Sequence, residues 1–89
     1  MYSKEVTIVN PSGLHARPAS DFVAQAEEYE CDITIGRPGE DEVDAKSIVM
    51  LLTLGLGQGE KAVLAAEGDD AQAAVDALAA LIAGGFGEI

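Results

Sequence analysis

The chain's single histidine, His15, stands in the run GLHARPA at residues 13–19, with an arginine two places on and a proline directly after that. An imidazole and a guanidinium where a helix is about to begin have the makings of a phosphoryl-accepting site. Gly13 permits a tight turn. Pro18 suits the first turn of a helix, where its missing N–H costs nothing and its fixed φ helps. His15 then lies at or just before a helix N-terminus, beside free backbone N–H groups and the positive end of the dipole. A ring nitrogen there is placed to act as a nucleophile. The same N–H groups, with the Arg17 guanidinium, form a cradle for a dianionic phosphate. Taken singly, a histidine here is more often a cap or a surface residue, and an arginine is more often merely solvated.

The elements that must position this pair follow from spacing and turn signals. EVTIV at residues 5–9 alternates and is β-branched, which predicts a strand ending at Asn10-Pro11. From Ala16 the apolar residues Ala19, Phe22, Val23 and Ala26 share one helical face, and this helix is predicted to end near Tyr29. Cys31, Ile33 and Ile35 alternate as a second strand, and a Gly- and acid-rich turn leads to a short third strand at residues 43–45. Ser47 as N-cap and Gly55 as C-cap bracket a short helix through IVMLLTL. KAVLAAEG reads as a fourth strand, although alanine forms strands poorly. Asp69 or Asp70 caps a last helix with Ala71, Ala74, Val75, Leu78 and Ile82 inward, stopped by Gly84-Gly85. The order βαββαβα predicts an α+β fold, a two-layer open-faced sandwich in which three helices cover one face of an antiparallel four-stranded sheet. One domain is expected over residues 1–89.

Composition narrows the partners. Sixteen acidic residues against five basic ones give a net charge of −11, which argues against nucleic acid or an anionic membrane. So acidic and lysine-poor a surface resembles those of salt-loving organisms, where screening hides the self-repulsion. One cysteine, Cys31, rules out an internal disulfide and any cysteine-cluster metal site, and reads as a small buried apolar residue. No metal or cofactor is expected. No apolar run reaches membrane-spanning length and no leader pattern opens the chain, so a cytoplasmic location is expected. GLGQG at residues 55–59 lacks the preceding strand and the Lys-Ser/Thr of a phosphate loop, and reads as a turn.

GLHARPA resembles the active-site signature of the HPr phosphocarrier family of the bacterial sugar phosphotransferase system. The likeness extends along the whole chain, through the element order, AKSIVMLLTLGLGQG and the acidic start of the last helix. It implies a carrier rather than an enzyme: His15 receives a phosphoryl group on Nδ1 from phosphorylated enzyme I and passes it to sugar-specific enzyme IIA components. Arg17 would neutralise the phosphoryl oxygens, and Ser12 with the N–H groups of Ala16 and Arg17 would order the loop. Ser47 matches the family's regulatory serine, the target in some bacteria of an HPr kinase/phosphorylase, while its role as N-cap already accounts for a serine there. Ile48, Val49 and Leu52 fall where the family exposes apolar residues to its partners, and the protein is expected to be a monomer. One departure stands out. Family members often carry lysines on the outer face of the first helix, where this chain has Ala24, Glu27 and Glu28. A regulatory relative that binds partners without relaying phosphate is the weaker reading, because such relatives replace the histidine.

Overall fold

The computed structural model describes all residues, 1–89. Four strands, β1 (Tyr2–Thr7), β2 (Asp32–Gly36), β3 (Val43–Asp44) and β4 (Lys61–Glu67), form one sheet in the order β1-β4-β2-β3. Every neighbouring pair is antiparallel. Three helices, α1 (Ala16–Ala26), α2 (Ile48–Leu54) and α3 (Ala71–Ala83), form the second layer, and a 3₁₀ turn at Gly85–Gly87 closes the chain. This is the open-faced α+β sandwich that the sequence predicts, with the 3₁₀ turn added.

The layers bury the alternating residues. Ala62, Leu64 and Ala66 of β4 and Ile33 and Ile35 of β2 face the helices, together with Phe22 of α1, Leu51 of α2 and Leu78 of α3. The small side chains of β4 that make it a poor strand by propensity suit a central position between β1 and β2, where both neighbours supply hydrogen bonds. Cys31 is buried, as expected, and burial with Asp70 beside it pushes its thiol up.

Two strand and helix boundaries and one cap differ from the sequence expectation. β1 starts at Tyr2 and leaves the ladder after Thr7, because Ile8 pairs instead with the turn before β4: its N–H donates to Glu60 O and its carbonyl accepts from Gly59 N–H. α1 ends at Ala26 in a turn through Tyr29. Asp70 is the N-cap of α3 by position, yet its side chain makes no cap bond there. Its carboxylate instead accepts from the backbone N–H groups of Glu30 and Cys31, 3.0 and 3.2 Å away, so it ties the entry of β2 to the start of α3. The ends of α2 match expectation. Ser47 Oγ accepts from Met50 N–H, and Gly55 closes the helix in the left-handed conformation.

Candidate functional site

The loop between β1 and α1 is held from beneath. Asn10 is fully buried, and its Nδ2 donates to Gly13 O at 2.9 Å while its own carbonyl accepts from Gly13 N–H. Asn10 Oδ1 has no partner. Gly13 has φ +65°, and a Cβ there would lie 2.5 Å from Leu56 O and 2.9 Å from Gly57 Cα, both backbone atoms that have no room to move. Only glycine fits. Leu14 N–H donates to the same Leu56 oxygen at 2.9 Å, and the Leu14 side chain is buried in the core. The loop is thus pinned at Gly13 and Leu14, the two residues that precede His15.

His15 is the N-cap of α1, in extended backbone conformation, exposed, and its side chain makes no cap bond. The ring is free for other chemistry. Ala16 follows with φ +52°, a left-handed conformation that costs a non-glycine residue about 1–3 kcal/mol. Such strain at an exposed helix start is stored by the pinned loop. It lies beside the imidazole. Ala16 and Arg17 present first-turn N–H groups that no preceding turn can accept, and Pro18 has none to leave unpaired. Pro18 and Ala19 are buried, so the helix start is anchored even though its leading residues are exposed.

Arg17 is loosely held. Its Nη2 reaches Phe86 O at 3.4 Å and its Nε lies 3.9 Å from Asp21 Oδ2, with two thirds of its side chain exposed. Both contacts are long enough that little is lost when the guanidinium turns to another anion.

Ser12 is engaged elsewhere. Its N–H and hydroxyl donate to the Glu88 carboxylate at 3.2 and 2.9 Å, and Asn10 Nδ2 donates to the same group at 3.0 Å. These hydrogen bonds, Asn10 first, and the more distant charge of Arg17 hold the Glu88 carboxyl below the usual glutamate range. Residues next to the C-terminus therefore complete the site: Glu88 on Ser12, and Phe86, itself at φ +54°, on Arg17. Sequence reasoning missed both. The turn signal of Gly84-Gly85 was the only hint that the chain folds back there.

On α2, Ile48, Val49 and Leu52 are exposed, Val49 by 66%, while Leu51 is buried in the core and half-buried Leu54 packs against it. Met50 is exposed as well and widens the apolar patch beyond the three residues picked from sequence. Ala24 on α1 and Glu27 and Glu28 in the turn after it all face solvent, so the last two lie beyond the helix on which the sequence placed them.

The comparison with known proteins decides the family. The profile of the PTS-HPr family, described as the PTS HPr component phosphorylation site, matches residues 2–84. The chain belongs to the HPr phosphocarrier family. The phosphocarrier HPr of Haloferax volcanii is 50% identical over 76 residues, which is 84% of this chain and 85% of that one. The HPr of Pseudomonas aeruginosa is 42% identical over 88 residues, 99% of this chain and 98% of its own. Among solved structures, an HPr from Thermoanaerobacter tengcongensis superposes with a TM-score of 0.95 at 42% identity, covering 100% of this chain and 99% of that one. HPr membership makes this chain a phosphocarrier of the sugar phosphotransferase type. The exposed imidazole, the strained Ala16 and the loosely held Arg17 are consecutive at the head of α1. No helix is long and apolar enough to cross a membrane.

Proposed function

We propose that His15 accepts a phosphoryl group on Nδ1 from phosphorylated enzyme I and hands it to sugar-specific enzyme IIA components. The observation that carries this reading is the exposed imidazole at the N-cap of α1, making no cap bond, directly before Ala16 in its left-handed conformation. A ring committed to capping its own helix would be a poor nucleophile; this one is available. As the bond from phosphorus to the donor breaks, the bond to Nδ1 forms, and the charge on the three phosphoryl oxygens is met by the Ala16 and Arg17 N–H groups and by the Arg17 guanidinium. Arg17 leaves only long contacts to reach them. Ser12 joins this set only when Glu88 gives up its two bonds to it. The carrier lowers no barrier alone; the reaction proceeds in the shared sites of its complexes.

Docking falls to the apolar patch of Ile48, Val49 and Leu52, extended by Met50. Lacking lysines on α1, this carrier meets partners that rely on apolar contact or carry little acidic charge at their docking face. It acts as a single-domain monomer in the cytoplasm. Ser47, already the cap of α2, is the residue that an HPr kinase/phosphorylase would modify, and a phosphate at that helix end is electrostatically favourable. The test is incubation with enzyme I and labelled phosphoenolpyruvate: wild type takes up one phosphate per chain and His15→Ala takes up none. A His15→Ala chain that is still labelled by enzyme I would remove His15 from the role.

A further inference from the structure

Arg37 follows β2 directly, at the start of the turn toward β3. Its guanidinium is the most heavily engaged cation in the protein. Nη1 donates to Leu54 O at 2.7 Å and Nη2 to Gly55 O at 3.2 Å, the last carbonyls of α2 and its cap. Nε and Nη2 also meet both oxygens of Glu60, the shortest contact being 2.9 Å. Glu60 Oε2 in turn accepts from Gly57 N–H at 2.7 Å. One planar fork therefore grips both ends of the turn, a geometry that a lysine ammonium cannot reproduce. Arg37, then the Gly57 N–H, hold the Glu60 carboxyl below its usual range, and Glu60 raises Arg37 in return.

The same turn is the bed on which the His15 loop lies. Leu56 O accepts from Leu14 N–H and closes off the space above Gly13. Gly59 N–H donates to Ile8 O at 2.7 Å, and Gln58 Nε2 donates to Val9 O at 3.0 Å. The turn carries three glycines, so its own backbone supplies little stiffness. We infer that Arg37 is a positioning residue for phosphoryl acceptance: by clamping the 55–60 turn it holds Leu56 under Gly13 and Leu14, and so keeps His15 and the strained Ala16 in place. The inference rests on the proposed acceptance at His15.

The clamp touches α2 only at its last residue and C-cap, whereas the apolar patch is held from the opposite end of the helix, by the Ser47 cap, and by buried Leu51. Loss of the clamp should therefore appear in kcat and leave KM for the carrier nearly unchanged. Amide hydrogen exchange supplies a readout that needs no partner. In Arg37→Ala the Leu14 amide should exchange about tenfold faster than in wild type while the β4 amides keep their rates, the mark of local opening. With enzyme I as donor, kcat should fall about three- to tenfold and KM move less than about twofold. Arg37→Lys, which preserves the charge beside Glu60 but not the fork, should give intermediate exchange and intermediate kcat. The inference is overturned if Leu14 exchange in Arg37→Ala is unchanged, if it rises only in step with β4, or if kcat stays at the wild-type value. A wild-type chain that enzyme I fails to phosphorylate would instead overturn the carrier reading, and the exchange of Leu14 would still decide whether Arg37 holds the loop.

Discussion

The Glu88 carboxylate accepts both the backbone N–H and the hydroxyl of Ser12, across 76 positions of sequence. The contact joins the C-terminal segment to the loop that presents His15, and it depends on the carboxylate being ionised. Because the folded-state carboxyl is held below its ordinary value of 4.5, its contribution to stability is complete above that pH and is lost as pH falls through the lower folded value. Glu60, Asp70 and Asp76 are shifted in the same direction, by Arg37, by the Cys31 contact and by Lys4 respectively, so they add to the same acid-side loss. Thermal unfolding should therefore be flat from pH 7 to 5 and decline below the ordinary carboxylate values. Glu88→Gln should decline less steeply. A Glu88 side-chain carbon that titrates by NMR with a midpoint at or above 4.5 would refute the contact.

Arg17→Ala should slow phosphoryl transfer and leave melting nearly unchanged, since Arg17 is largely exposed and its two contacts are long. The loss of one charge-assisted contact to the phosphoryl oxygens corresponds to about a 30- to 150-fold drop in rate. Stopped transfer assays with enzyme I measure it. Transfer at the wild-type rate would take Arg17 out of the mechanism.

Much of this arrangement is readable from local sequence, and the exceptions share a cause. Ser47 and Gly55 announce the ends of α2 because capping is a property of the few residues around a helix end. Gly13 and Pro18 announce the start of α1 in the same way. Asp70 misleads, since an aspartate before a helix signals a cap, and its actual partners Glu30 and Cys31 lie about forty positions earlier. The sequence places the first strand at residues 5–9, yet β1 begins at Tyr2, where an antiparallel sheet with one solvated face leaves Ser3 and Glu5 exposed and so weakens the apolar pattern. Glu88 and Phe86 were invisible for a stronger reason: a carboxylate that completes a site through tertiary contact leaves no pattern around itself.

Ser47→Asp should keep α2 capped, because aspartate is as good an N-cap as serine. The new charge lies beside Ile48 and the rest of the exposed apolar patch. Desolvating it at an interface at a cost of about 1 kcal/mol would raise KM for the carrier about fivefold, with melting unchanged. Unchanged transfer kinetics would mean that α2 is not part of the docking face.

Salt should stabilise this protein. Four ion pairs engage four of its sixteen acidic side chains, and those pairs already use four of the five basic residues. The unpaired carboxylates repel one another over about 30 Å at 0.01 M salt but only about 3 Å at 1 M. The melting temperature should therefore rise steadily between 0.05 and 2 M KCl, and transfer from an acidic enzyme I should speed up with it. Melting that is flat or falls with salt would remove the salt-adapted reading and leave the site untouched.

The most direct measurement of the central claim is NMR of the chain, labelled with ¹⁵N in its one imidazole, after incubation with enzyme I and phosphoenolpyruvate. The account predicts one phosphorus resonance, labile in acid and stable in alkali as phosphoramidates are, coupled to Nδ1 of His15. A phosphorus signal that lacks coupling to that nitrogen, or a phosphorylated chain whose imidazole spectrum is unchanged, would contradict it.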